Sequence, residues 1–237
     1  MTNRRSRIRT FYRDRALPTL APLQKSAASA SLDPYRFRGA SIEPTIVVRA
    51  DLNGYSSWAK GQEIPNRAKL LDHFFTKTIL SLDRAGGIYF RDEGDCVVAI
   101  FSQYFSNNWS PRSVMDFCKL TAQGNYGEAG LTAKVTVSFG SVAYFQKAHE
   151  QGTEDWSAEG DPFVQCARLE QAVESKQRVY LLDPLYKALF QPSENYAAAG
   201  ERYYWTTTTV NVQVEGLGLS GGWAQVSQHE YIPGGRT

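Results

Sequence analysis

From Thr45 onward, short β-branched runs alternate with stretches whose apolar residues recur at helical spacing. Thr45-Ile46-Val47-Val48-Arg49-Ala50 reads as a strand. It ends in Asp51-Leu52-Asn53-Gly54-Tyr55-Ser56, where Asn-Gly marks a tight turn. Leu70, Leu71, Phe74, Phe75, Ile79 and Leu82 line one face of a predicted helix, which Gly86-Gly87 stops. Ile88–Arg91 and Cys96–Phe101 predict a hairpin joined through Asp92-Glu93-Gly94-Asp95. A second helix is predicted from about Pro111 to Gln123, and a strand pair interrupted at Gly140 from Leu131 to Tyr144. Asp161 to Ser175 predicts a helix with Phe163, Ala167, Leu169 and Ala172 inward. Val179–Leu182 reads as a strand and Pro184 to Phe190 as a short helix. Tyr203 to Ile232 alternates like a strand pair, with Gly216, Gly218, Gly221 and Gly222 marking its turn.

Elements in the order β-α-β-β-α-β predict an α+β, ferredoxin-like fold: an antiparallel-rich sheet with helices on one face. Residues 1–40 read as an arm and lead-in, and 41–237 as one domain. No internal repeat is present.

A chain of 237 residues, 42% hydrophobic and 21% charged, has the composition of an ordinary globular protein. Its net charge of +2 points away from nucleic acid or a membrane surface as a general partner. Arg4, Arg5, Arg7, Arg9, Arg13 and Arg15 crowd the start, either as an inert solvated tail or as a contact for an anionic surface. That segment lacks the apolar run of a secretory signal, and no stretch is apolar enough to span a bilayer. Cys96, Cys118 and Cys166 have no metal-ligand spacing and an odd count, so free, mostly buried thiols and a cytoplasmic location are expected. His73, His149 and His229 are too scattered for a His-rich metal centre.

The candidate chemistry lies in two acids. Asp51 sits where a strand runs out into a turn, and Asp95 at a hairpin tip. A β-α-β-β core brings both to one sheet edge. Two such carboxylates repel unless a cation bridges them, and hard divalent ions prefer oxygen. The main-chain N–H groups of Asn53, Gly54, Tyr55 and Ser56, near a helix start, are suited to a triphosphate. Taken singly, D-x-x-G and Gly-Asp are ordinary turn sequences; their weight comes from joint occurrence.

Together these segments resemble the class III nucleotidyl cyclases. VVRADLNGY (Val47–Tyr55) is similar to their first metal motif and FRDEGDCVVAIF (Phe90–Phe101) to their second. VSFGSV (Val137–Val142) resembles the glycine-bearing strand between the motifs, and GDPFVQCARLE (Gly160–Glu170) the helix with the transition-state arginine. The resemblance implies that Asp51 and Asp95 hold two divalent ions, Mn²⁺ or Mg²⁺, with the carbonyl of Leu52 completing one shell. It implies that Arg168 meets the charge developing on the α-phosphate of a nucleoside triphosphate. It also implies a head-to-tail homodimer with two sites.

The chain departs from that pattern where the base is read. The lysine of adenylyl cyclases, four residues before the second aspartate, is Arg91; their base-reading aspartate falls on Ser157. The ribose asparagine aligns with Val164, and a lysine of the last hairpin with Leu217. Loss of an acidic acceptor and gain of an arginine donor favour a base with a carbonyl edge, uracil or guanine, over adenine. Arg49 shares the strand face of Asp51 and is a further candidate for nucleotide contact. Tyr55 reads as a core aromatic. The short build resembles the pyrimidine cyclases of bacterial Pycsar anti-phage systems, which implies UTP as substrate and cyclic UMP acting on a separate cyclic-nucleotide-binding effector. A guanylyl, adenylyl or cytidylate cyclase and a catalytically silent nucleotide-binding domain are the alternatives. A diguanylate cyclase is a poor match at Asp92–Asp95.

Overall fold

Ile46, Val47 and Val48 are consecutive and fully buried, which a strand allows only when both faces of its sheet are covered. A computed structural model describes residues 36–148, 154–191, 205–216 and 222–231 and shows what covers them. The chain runs β1 (Arg36–Leu52), α1 (Tyr55–Ala59), α2 (Ile64–Arg84), β2 (Ile88–Glu93), β3 (Cys96–Ser102), α3 (Pro111–Gln123), β4 (Ala133–Ala148) and β5 (Glu154–Glu159). It continues through α4 (Asp161–Ala172), β6 (Arg178–Leu182), α5 (Asp183–Leu185), a π-helical turn (Tyr186–Phe190), β7 (Trp205–Gln213) and β8 (Trp223–Tyr231). The strand order is β2-β3-β1-β4-β6-β8-β7, with β5 paired to β4.

The two helices of the β-α-β-β-α-β core share one face, as the pattern predicts. Ile46, Val48, Ala50 and Leu52 of β1 pack there with Leu70, Phe74 and Leu82 of α2 and Val114, Phe117 and Cys118 of α3. Helix α3 spans the predicted residues because Ser110 and Ser113 cap each other reciprocally and Pro111 opens the first turn. The opposite face is covered in part by α4, which lies outside that core. Thr136 Oγ1 donates to the carbonyl of Cys166 (3.3 Å), Ser138 Oγ to Gln165 Oε1 (2.6 Å) and Cys166 Sγ to the carbonyl of Val47 (3.2 Å). Leu169 and Val173 then pack on Tyr180, Val214, Ala224 and Val226 in a second cluster. All three cysteines are free and buried, as expected.

The expected break at Gly140 is corrected: β4 is one continuous strand. A Cβ at Gly140 would lie 3.0 Å from Pro162 Cγ, so this glycine admits the start of α4 rather than ending a strand. The described residues fall into two compact units, one of residues up to Glu43 with those of Ala143–Glu159, the other of Pro44–Val142 with those from Gly160 onward. In the first, β5 pairs with the end of β4 from Ala143 opposite Glu159 to Ala148 opposite Glu154. The Arg-rich start, His149, Leu217, Gly218 and Gly221 lie outside the described residues. Among the described residues no helix is long and apolar enough to cross a membrane.

Gly160 is where α4 meets β4 most tightly: a Cβ there would sit 2.5 Å from the carbonyl oxygen of Ser141 and 3.1 Å from Val142 Cα. Backbone cannot give way as a side chain can. Gly160→Ala is expected to destabilise the protein by about 1–3 kcal/mol, read as a lowered denaturation midpoint.

Candidate active site

Asp51, next to last in β1, lies opposite Cys96 in the antiparallel register with β3, and the N–H of Leu52 donates to the carbonyl of Asp95 at 3.3 Å. The two predicted acids therefore meet at one end of two central strands. Gly94, at φ +70°, makes the β2–β3 turn that delivers Asp95. The side chain of Leu52 is buried in the core, which leaves only its main chain for ligation.

Burial raises the carboxyl of Asp51 to about 7, with the charges of Glu170 and Asp95 adding to the effect and Lys134 and Arg49 opposing it. Asp95 is raised as well, first by burial and then by Glu170, against its own main-chain hydrogen bond and Lys134. Glu170, on α4, is a third carboxylate nearby, its Oε2 4.0 Å from Sγ of Cys96, the register partner of Asp51. Lys134 is buried and donates its Nζ to the carbonyl of Glu170 at 2.8 Å. The guanidinium of Arg49 is divided between Glu170 Oε2 (2.7 Å from Nε) and Glu93 Oε2 (2.5 Å from Nη1).

Glu170 and Lys134 were not among the expected site residues. Their signal in the sequence was faint: a charge at an inward position of an otherwise apolar segment. Arg168 lies two residues from Glu170 and points elsewhere. A Cβ on Gly216 would sit 2.3 Å from Arg168 Nη1, so its guanidinium rests on the turn after β7. It is not among the charges that act most on Asp51 or Asp95. Of the acids that follow Arg168 on this segment, Glu170 bonds Arg49, and Glu174 pairs with Lys176 and Arg178.

The loop after Asp51 is held from below. The N–H of Asn53 donates to the carbonyl of Thr132 (2.9 Å) and its Nδ2 to Thr132 Oγ1 (3.0 Å), so both donors are engaged. Its Oδ1 is buried with no hydrogen-bond partner among the described residues. Gly54, at φ +75°, opens α1, where Tyr55 and Ser56 fall in the first turn. Tyr55 packs on the core with its ring 5.9 Å from that of Trp58, as its reading as a core aromatic requires.

Arg91 is half exposed. It bonds Glu93 Oε1 at 2.7 Å and lies 5.3 Å and 5.7 Å from the ring centres of Phe90 and Phe163. Glu93 is buried enough to resist ionisation, but Arg49 and Arg91 outweigh that and hold its carboxyl below the usual range. Ser157 lies in β5 opposite Phe145, in the first compact unit.

Among the described residues no cluster of three or more His, Cys, Asp or Glu side chains is arranged to hold a metal. Two carboxylates, a main-chain carbonyl and substrate phosphates are nonetheless a normal donor set for Mg²⁺ or Mn²⁺. Raised carboxyls beside an unpartnered amide oxygen make this strand end rich in acceptors, so the residues fit such ions.

No protein-family profile and no curated protein sequence matches the chain. Its fold, however, is that of solved class III adenylyl and guanylyl cyclase catalytic domains. The adenylyl cyclase CyaB from P. aeruginosa is similar with a TM-score of 0.61 at 15% identity, over 83% of this chain and 97% of that one. The guanylyl cyclase Cya2 has a TM-score of 0.60 at 16% identity, over 81% and 93% of the two chains. The guanylate cyclase domain of RhGC from Catenaria anguillulae, solved in complex with GTP, has a TM-score of 0.55 at 12% identity, over 81% and 100%.

The raised carboxyl of Asp51 carries a stability cost. Unfolded, it ionises near pH 4, whereas the folded carboxyl holds its proton to about 7. The folded state therefore binds more protons across that window, and stability falls as pH rises through it. Asp51→Asn removes the penalty. In chelator, its melting temperature is expected to exceed the parent's by a few degrees at pH 8, about 1 kcal/mol after solvent screening. The advantage should grow from about pH 4 to pH 7 and level off above.

Proposed function

We propose that this chain is a nucleotidyl cyclase, converting a nucleoside triphosphate to its 3′,5′-cyclic monophosphate and pyrophosphate. The meeting of Asp51 and Asp95 at one strand end, within a sheet of cyclase fold, carries this reading. Asp51, Asp95 and the carbonyl of Leu52 would hold two divalent ions, which when bound supply Lewis acidity to the attacking hydroxyl and the leaving phosphate. The first turn after Gly54 faces the phosphates. Arg168 stabilises the charge that grows on the α-phosphate as the 3′-oxygen bonds to phosphorus and pyrophosphate departs. Because Arg168 rests on the Gly216 turn, away from the carboxylates of its own chain, we take a second copy to complete each site in a head-to-tail homodimer. We take residues 41–237 as the catalytic domain.

For the base we favour UTP. Arg91 offers a donor beside the Phe90 and Phe163 rings, suited to a flat base with a carbonyl edge, and no acid occupies the Ser157 position. A role for cyclic UMP in anti-phage defence, through a separate cyclic-nucleotide-binding effector, rests on the resemblance to the Pycsar cyclases alone. The second reading is a guanylyl cyclase, since guanine also presents a carbonyl to Arg91 and a solved relative in fold is bound to GTP.

Incubation of the purified protein with each of the four nucleoside triphosphates and Mn²⁺, with products read by mass, tests both levels. Cyclic UMP is the expected main product. Cyclic GMP or cyclic AMP as main product would retain the cyclase and discard the base assignment, and no cyclic product would overturn the cyclase itself. Asp51→Ala and Asp95→Ala should each abolish turnover, and Arg168→Ala should lower kcat by about 10²–10³-fold. Arg91→Ala should narrow the ratio of kcat/KM between UTP and ATP; an unchanged ratio removes Arg91 from the base pocket.

A further inference from the structure

Two carboxylates, Asp51 and Asp95, form the proposed ligand set at the end of β1, and a third lies close by. It is Glu170, whose Oε2 lies 4.0 Å from Sγ of Cys96, the residue paired with Asp51 and next to Asp95. A free carboxylate so placed is drawn to any divalent cation held there, changing both the charge and the coordination of the centre. What restrains it is Arg49, on the same strand face as Asp51 with a side chain only 11% exposed. Nε of Arg49 takes Glu170 Oε2 at 2.7 Å, while Nη1 takes Glu93 Oε2 at 2.5 Å. One guanidinium thus ties helix α4 and strand β2 to the residue two places before Asp51. The main-chain oxygen of Glu170 is fixed separately by Lys134 Nζ at 2.8 Å, so the helix and the carboxylate each have an anchor. Only an arginine does this: its charge is permanent, and its planar fork sets the direction of two carboxylates at once.

We propose that Arg49 is a positioning residue of the metal centre, holding Glu170 as a neighbour and not a ligand of the ions at Asp51 and Asp95. Arg49 then touches neither nucleotide nor metal. It limits the negative charge facing the ions and keeps the coordination to two side chains. The inference rests on the reading of Asp51 and Asp95 as metal ligands.

Mn²⁺ binding without nucleotide, followed by the electron paramagnetic resonance signal of the free ion, tests it on the intact protein. Arg49→Met keeps an apolar stem and releases Glu170. It should bind Mn²⁺ about tenfold more tightly than the parent, and adding Glu170→Gln should return the affinity to near the parent's. A purely structural Arg49 would weaken binding or leave it unchanged, and either result in a folded Arg49→Met protein overturns the proposal. Should Arg49→Met fail to fold, Glu170→Gln alone decides. A loss of Mn²⁺ affinity within about threefold supports the proposal, and a loss as large as that of Asp51→Asn makes Glu170 a ligand and overturns it. If the parent and Asp51→Asn bind Mn²⁺ equally, the metal reading fails and takes this inference with it; if they differ, only the role of Arg49 is at stake.

Discussion

Charge at the end of a strand built for the core is the constraint around which this protein is arranged. From Thr45 to Val48, and again at Ala50, β1 is buried, and the residues directly before and after Ala50 are Arg49 and Asp51. A desolvated carboxylate is costly by itself, and Asp95 and Glu170 increase that cost. The fold meets it from three directions. Arg49 comes from the same strand, Lys134 from β4, and α4 brings Glu170 already gripped by both cations. Helix α4 is therefore the floor of the charged cluster as well as the carrier of Arg168.

The same helix explains why glycines fall where they do. Gly140 and Gly160 both lie where α4 begins, and each leaves room for an atom that a β-carbon would displace. A strand that receives a helix end at van der Waals distance needs such gaps, so these glycines report packing and not chain reversal. Gly54, Gly94 and Gly216 differ. They hold positive φ at turns, and two of those turns present Asp51 and Asp95 to each other.

Much of this was legible in the sequence. The apolar runs at Thr45–Ala50 and Cys96–Phe101 located the two central strands, and the helix expected from about Pro111 to Gln123 is α3. Asp51 and Asp95 were found because hairpin geometry is local. Glu170 and Lys134 were not, since their partners lie 121 residues from Glu170 along the chain in one case and 36 residues from Lys134 in the other. Strand β5 also escaped notice: Glu-Asp-Trp-Ser-Ala-Glu has no strand pattern of its own and is ordered by pairing with β4. Gly140 misled for the converse reason, since a local breaker was serving a distant contact.

The three thiols have a practical consequence. Cys96, Cys118 and Cys166 are sealed in the packed layers, and burial lifts each well above the ordinary range of a thiol, Cys166 to about 12. Thiolates are what alkylating dyes attack, so the native protein offers them almost none. A single cysteine introduced on an exposed position such as Leu120 of α3 would therefore be the only site that takes a maleimide fluorophore or spin label. Distances between labelled copies then become measurable by spectroscopy on an otherwise unaltered background.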